Sequence, residues 1–440
     1  MTHKISLISL GCSKNLVDSE IMLGLLKKNN YLLTEDLNKA DAIIINTCGF
    51  ILTAKKESID TILYAAEFKK KGKCRVLIAT GCLVEKYRHE LVREIPEIDG
   101  YLGTTELKNI VSLLNQKLLG IQEVTTNISD DIFLDRHLTT PNYSAYVKIA
   151  EGCDNHCTYC LIPQLRGKYQ SRTIESITSE VKKLISQGVK EINIIAQDTT
   201  YYGIDLYGQP KLPDLLQILA KEPIKWIRIL YSYPARITPE LLYVIANNAN
   251  ICNYLDLPIQ HADNYILHKM GRIETRDYLL NLIKKIRTIV PDIALRTTCM
   301  VGFPGESNKM FQNLISFIHE VRFDWMGAFT YSQEEDTPAA MFQGQVPEKI
   351  KNERYHQIMS LQSSISYQDK KKWIGNTISV LVEGICPTNP EYLIGRSQYQ
   401  APEVDGVVLI KRSDQIKLGD FVNVRIIDSN VYDLVGEIDK

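Results

Sequence analysis

No apolar run in the 440-residue chain approaches the roughly 20 residues that span a bilayer. The opening stretch MTHKISLISLGC lacks the apolar core and cleavage pattern of a secretory leader. No membrane role is expected, and the expected location is cytoplasmic. The formal net charge is only −1, so the molecule as a whole is not an electrostatic glue for nucleic acid. Cysteine is modest at 10 residues. In a reducing compartment these are thiols, ligands or nucleophiles, not disulfides. What remains is ordinary globular composition, 45% hydrophobic and 23% charged, in a chain too long for one core.

Two cysteine groups stand out. Cys153, Cys157 and Cys160 form a compact C-x3-C-x2-C loop. Cys12, Cys48 and Cys82 are far apart in sequence, but each follows a short strand-like run: Ile5–Leu10, Ala42–Ile45 and Arg75–Ala79. Helical patterns at about 15–28 and 53–71 separate those runs, so the start of the chain reads as a parallel α/β sheet. Ligands of such sheets bind outside the carboxyl ends of the strands, where all three cysteines fall. Cys74 precedes its strand and belongs at the opposite edge.

After a polar connector, six further strand candidates alternate with helical patterns. They are Tyr146–Ala150, Glu191–Ala196, Trp226–Tyr231, Tyr254–Pro258, Ala294–Val301 and Trp325–Tyr331. This predicts a full or partial TIM-like (β/α)6 barrel, with its site at the strands' carboxyl ends. The compact cysteine loop follows the first of these strands. A helical stretch at about 347–373 leads to short β-like runs from Asn376 onward, expected to form a small all-β, OB-like barrel. The expected division is 1–120, a linker at 121–140, a core at 141–372 and a terminal barrel at 373–440.

Three thiolates from one loop suit a four-iron cluster with one open iron. The competing reading is a zinc knuckle with His156 as fourth ligand. For Cys12, Cys48 and Cys82 the competing readings are buried core thiols or zinc. Cys252, Cys299 and Cys386 have no partners at motif spacing and are expected to be structural.

C-x3-C-x2-C after the first strand of a β/α barrel resembles the radical S-adenosylmethionine (SAM) superfamily. Tyr159 matches its aromatic position, and the run Met300-Val-Gly-Phe-Pro-Gly-Glu306 resembles its glycine-rich segment. With the N-terminal three-cysteine module and the terminal β-module, called TRAM, nearly the whole chain resembles the methylthiotransferase family. The resemblance implies two 4Fe-4S clusters, with Cys12, Cys48 and Cys82 on the auxiliary one and Cys153, Cys157 and Cys160 on the other. It implies SAM near Tyr159, Gly302, Gly305 and Glu306; Gln197 and Asp198, which end the second barrel strand, are further candidates for contacting it. It further implies sulfur carried at the auxiliary cluster and a radical that removes hydrogen from an unactivated carbon. An electron donor such as flavodoxin or ferredoxin, and a sulfur source, would be needed.

Several runs resemble the branch acting on an aspartate of small-subunit ribosomal protein S-twelve, free or within its ribosomal subunit. Among them are Ser9-Leu-Gly-Cys-Ser-Lys-Asn-Leu-Val-Asp-Ser-Glu20, Leu257-Pro-Ile-Gln-His261 and Gly395-Arg-Ser-Gln-Tyr-Gln-Ala-Pro-Glu-Val-Asp-Gly406. Ser13 departs from the proline usual there. The alternative is a branch that modifies tRNA adenosine. Residues 376–440 hold six Lys+Arg against ten Asp+Glu. An acidic module suits a basic protein partner, so RNA binding is not favoured. Candidates for gripping the aspartate carboxylate are Lys14, Arg166, Lys168 and Arg172.

Overall fold

The computed structural model describes residues 3–121, 131–413 and 415–439. Its first unit is a five-stranded parallel sheet in the order β2-β1-β3-β4-β5. The strands are β1 (Lys4–Ser9), β2 (Leu32–Leu33), β3 (Ala42–Thr47), β4 (Val76–Gly81) and β5 (Gly100–Leu102). Helices α1 (Ser13–Lys28), α2 (Leu52–Lys71), α3 (Cys82–Glu94) and α4 (Ile110–Leu119) cover it. Strand β3 is buried along its whole length, as expected of a parallel strand sandwiched by helices. Burial of each of Ile43, Ile44 and Ile45 stabilises the fold by about 1.5–3 kcal/mol. The short edge strands β2 and β5 carry too little pattern to be read from sequence.

The second unit has strands β6 (Ser144–Lys148), β9 (Glu191–Ile195), β10 (Trp226–Ile229), β11 (Ile251–Asp256), β12 (Ala294–Val301) and β13 (Trp325–Thr330). They are parallel and paired in that order, leaving β6 and β13 as edges, so the barrel is partial. A two-residue ribbon, β7 (Ala150–Glu151) with β8 (Gln170–Ser171), frames the cysteine loop. The strand expected at 254–258 lies three residues earlier, and its start is anchored by Asn250, whose side chain donates to the carbonyl of Ala220 at 2.9 Å. Helix starts carry side-chain caps: Thr173, Thr238, Asp263, Thr275 and Ser307 each accept from a backbone N–H of the first turn.

Strand alternation divides the partial barrel into two faces. Ala145, Val147, Ile192 and Ile194 pack outward in the helix-covered core. Tyr146, Trp226, Cys252, Tyr254, Ala294 and Trp325 lie on the lumen face and belong to a different cluster, which continues into the core of the N-terminal unit.

The third unit is a closed five-stranded barrel, β14-β15-β16-β18-β17. Its strands are β14 (Thr377–Ile385), β15 (Tyr392–Ser397), β16 (Val408–Lys411), β17 (Phe421–Ser429) and β18 (Leu434–Ile438). Closure leaves no free sheet edge. Residues 122–130 of the expected linker lie outside the described residues. Its described part is docked: Lys28 pairs with Asp135 at 2.7 Å, and Glu20 accepts from Thr139 N at 2.8 Å.

Candidate functional site

Strands β1, β3 and β4 are neighbours, so the segments that follow them lie side by side. Cys12 caps α1, Cys48 follows β3, and Cys82 starts α3. Gly81 has φ +94°, and a Cβ there would lie 2.4 Å from Asn46 Oδ1. Asn15 gathers the three segments. Its Nδ2 donates to the carbonyls of Leu10 and Thr47, both at 2.9 Å, and its Oδ1 lies 3.8 Å from Cys82 Sγ. Burial pushes the Cys82 thiol up to about 12, opposed by the charge of Arg166. At Cys12 burial also acts upward, but Lys14, Arg166 and backbone N–H groups outweigh it and lower the pKa. Cys74 is at the far edge, bonded to the Val76 carbonyl at 3.3 Å.

The compact loop is held on both sides. Cys153 N donates to Gly167 O at 3.1 Å, and Thr158 N to Met270 O at 3.0 Å. Gly152 has φ +72°, and a Cβ there would strike Lys168 O at 2.1 Å. Burial pushes Cys153 to about 11 and Cys160 to about 12, so ionising these thiols needs a positive partner such as iron. His156 is exposed.

The first triplet lies at the contact between the first two units through Cys82. Cys82 packs with Leu161 and Leu165, directly after Cys160. Helix α5 (Ile162–Arg166) then carries Arg166 into the N-terminal unit. Its guanidinium binds Asp18 at 3.0 Å, Glu151 at 2.9 Å and Asn15 Oδ1. Lys148 pairs with Asp18 and with Glu151 at 2.6 Å. Burial acts upward on Glu151, but Lys148 and Arg166 hold it near 2.

These contacts show how the four cations expected to grip the carboxylate are engaged. Arg166 is consumed by the buried network. Arg172 is consumed by Glu180, Ser176 and the Lys148 carbonyl, and it stacks 3.5 Å over Phe133. Lys168 points to solvent. Lys14 differs from all three: only 3% exposed, it pairs with no carboxylate among the described residues. Its ammonium lies 2.8 Å over the ring of Tyr231, whose hydroxyl is 3.3 Å from Ser13 Oγ. Tyr231 has φ +60°, a conformation bulky residues seldom adopt outside special sites. Sequence reading missed Tyr231, which only the fold brings to Lys14, and Asn15, whose bonds to the Cys48 and Cys82 segments only the fold forms.

Of the expected SAM contacts, Tyr159 packs edge-on to Phe303 at 6.5 Å, and Gln197 is half-buried. Gly302 and Gly305 have φ +74° and +87° and shape the turn after β12. Asp198 and Glu306 turn inward. Asp198 accepts from Thr200, Arg236 and Asn155, so it positions the cluster loop through Asn155. Glu306 accepts from Gly302 N at 2.6 Å, Phe303 N at 3.2 Å and Arg354 at 3.0 Å, and so braces the glycine turn. Cys252 and Cys299 are core thiols. Cys386 bonds Thr388 at 3.3 Å.

Among the described residues, no three His, Cys, Asp or Glu side chains converge as one metal ion requires. Each triplet is an all-thiolate, soft donor set, which iron–sulfur clusters take.

The chain matches three family descriptions: "Uncharacterized protein family UPF0004" over 4–103, "Radical SAM superfamily" over 147–318, and "TRAM domain" over 374–438. A radical SAM methyltransferase, TsrM from Kitasatospora setae, its structure solved with cobalamin and a [4Fe-4S] cluster bound, shares the fold with TM-score 0.57 at 13% identity, covering 78% of this chain and 77% of that one. OxsB, a cobalamin-dependent SAM radical enzyme, does so with TM-score 0.53 at 11% identity, covering 83% and 58%. The partial barrel with its three-cysteine loop is that of a radical SAM enzyme, a class that uses SAM and a 4Fe-4S cluster. Curated relatives named "Ribosomal protein uS12 methylthiotransferase RimO" match along the full length. The one from Desulforamulus reducens is 51% identical, covering 99% of each chain. The one from Clostridioides difficile is 50% identical, covering 99% of this chain and 98% of its own. The chain belongs to the ribosomal protein uS12 methylthiotransferase family.

Proposed function

We propose that this enzyme places a methylthio group on the β-carbon of an aspartate of ribosomal protein uS12. The observation that carries the reading is the second triplet, Cys12, Cys48 and Cys82, with Cys82 packed on Leu161 and Leu165 just after the radical SAM loop, in a chain about half identical to uS12 methylthiotransferases. Cys153, Cys157 and Cys160 would hold the SAM-binding cluster, and Cys12, Cys48 and Cys82 an auxiliary one. When bound, these groups supply a 5′-deoxyadenosyl radical from SAM and a sulfur methylated by a second SAM. The protein's part is to position and to exclude water. Gly302 and Gly305 let the backbone approach SAM, with Tyr159 and Gln197 beside it. Lys14 receives the aspartate carboxylate, because it is the one buried cation of the four expected that has no carboxylate partner among the described residues. A low-potential electron donor such as flavodoxin or ferredoxin, a sulfur source and a cytoplasmic setting complete the reading. The acidic TRAM module favours a basic protein over tRNA.

The test is an anaerobic mass-spectrometric assay of the reconstituted enzyme with SAM, reductant and sulfide. A uS12 peptide spanning the aspartate competes with unmodified tRNA. A methylthio adduct on the aspartate, lost in Cys12→Ala and Cys157→Ala, supports the proposal. Modified tRNA with unmodified peptide overturns it.

A further inference from the structure

Residues 398–407 join β15 to β16 of the TRAM barrel, yet their contacts reach into the radical SAM barrel. Arg228 of β10 donates to Gln398 O at 2.7 Å, and Trp325 of β13 donates to Tyr399 O at 2.7 Å. Ala401 is fully buried, in the same cluster as Tyr254 and Trp325. Asp405 carries the TRAM loop onto β11 and β12. One of its oxygens accepts from the Tyr254 hydroxyl at 2.7 Å and from Ala401 N at 2.8 Å. The other pairs with Arg296 of β12 at 3.3 Å, and the side chain is 1% exposed.

The contacts continue beyond Arg296. Its Nη1 lies 3.2 Å from Oδ1 of Asp256, the last residue of β11. The second oxygen, Asp256 Oδ2, accepts from Tyr231 N at 3.0 Å. Tyr231 lies just past the carboxyl end of β10 and holds φ +60°. A bulky residue keeps that backbone only where its surroundings over-determine it. Here both of its main-chain groups are tied: the N–H to Asp256, and the carbonyl to Thr199 N at 3.0 Å. The Tyr231 ring in turn carries the Lys14 ammonium at 2.8 Å. Asp405, Arg296, Asp256, Tyr231 and Lys14 therefore form one chain of contacts, none longer than 3.3 Å.

We propose that Asp405 is a positioning residue for substrate binding: through Arg296 and Asp256 it fixes Tyr231, and Tyr231 presents Lys14 to the aspartate carboxylate. The inference rests on the uS12 reading and specifies what holds the carboxylate-binding cation in place. Two carboxylates keep the Arg296 guanidinium between them. Without Asp405, the guanidinium is free to take both oxygens of Asp256, the bidentate pairing arginine favours. It then competes with Tyr231 N for Oδ2. Tyr231 loses the anchor on its N–H, relaxes from the left-handed region, and withdraws its ring from Lys14. The TRAM loop thus completes the substrate site from within the barrel.

The test uses the reconstituted full chain and a uS12 peptide spanning the aspartate. Asp405→Asn, nearly isosteric, should raise KM for the peptide about five- to tenfold, the loss falling on KM and not on kcat. Equilibrium binding of the labelled peptide, read by fluorescence anisotropy without reductant, should weaken by the same factor. Asp405→Asn combined with Lys14→Met should bind no worse than Lys14→Met alone, because both changes remove one interaction. General destabilisation would instead add to the Lys14→Met loss. Tyr231→Leu, outside the TRAM contact, should match Lys14→Met and stands in should Asp405→Asn fail to fold. Additive losses in the double variant, or wild-type KM in Asp405→Asn or Tyr231→Leu, overturn the inference while leaving the uS12 reading intact. A wild-type enzyme that leaves the peptide unmodified overturns both.

Discussion

Lys14 carries a buried ammonium over an aromatic ring, with no carboxylate beside it among the described residues. The cation–π contact contributes about 2 kcal/mol when desolvated, less than the several kcal/mol that burying an unpaired ion costs. An arriving carboxylate offsets the difference. Lys14→Met should therefore lower kcat/KM for the peptide by about tenfold or more, with Lys14→Arg recovering part. Iron content should stay at the wild-type value; its loss would mean that Lys14 serves the cysteines instead. Cys74 makes the complementary case. Its thiol bonds the Val76 carbonyl at the sheet's opposite edge. Cys74→Ala should keep the full iron complement, whereas Cys12→Ala should lose the auxiliary cluster's share in an iron assay.

At the scale of elements, the TRAM loop is held to the barrel by Glu191 between Arg396 and Arg228. Burial acts upward on Glu191, but the two arginines hold it near 2. The folded pKa lies below the unfolded one, so the stabilisation is present above about pH 4.5 and is lost as pH falls toward 2. Its size is about 3 kcal/mol. Glu191→Gln should lower stability by about 3–5 kcal/mol near neutral pH, because it strands two buried guanidinium groups. Denaturant titrations at pH 7 and pH 3 should show that gap shrinking at the lower pH. An equal gap at both would remove the charge argument. Helix α5 has a similar duty: it is one short turn after Cys160, and it delivers Arg166 to the other unit.

At the scale of the molecule, the buried group of Asp18, Lys148, Glu151 and Arg166 locks the N-terminal sheet to the radical SAM barrel. Asp18→Asn should weaken that docking by about 3 kcal/mol, since two buried cations lose a partner. Calorimetry should then resolve separate unfolding steps where the wild type shows one. A single unshifted transition would show that apolar contacts alone hold the units together.

The strand runs, the helices between them and both cysteine triplets were legible in the sequence. Each is a local pattern: periodicity of two or 3.6, or a fixed spacing from a strand end. The edge strands β2 and β5 and the strand β15 were not read, since their short or glycine-interrupted runs carry little periodicity. Nor could the sequence tell Lys14 from Arg166 and Arg172, because all three are cations near cysteines. Tertiary contact alone decided that the two arginines are spent on buried carboxylates while Lys14 is left open. It also put Tyr231 beside Ser13 and carried residues 396–405 into a lumen whose contacting residues lie 74 to 205 positions earlier. Pairings over such separations leave no mark in local pattern. They exist only once the hydrophobic faces have packed and a charge without a partner has become costly.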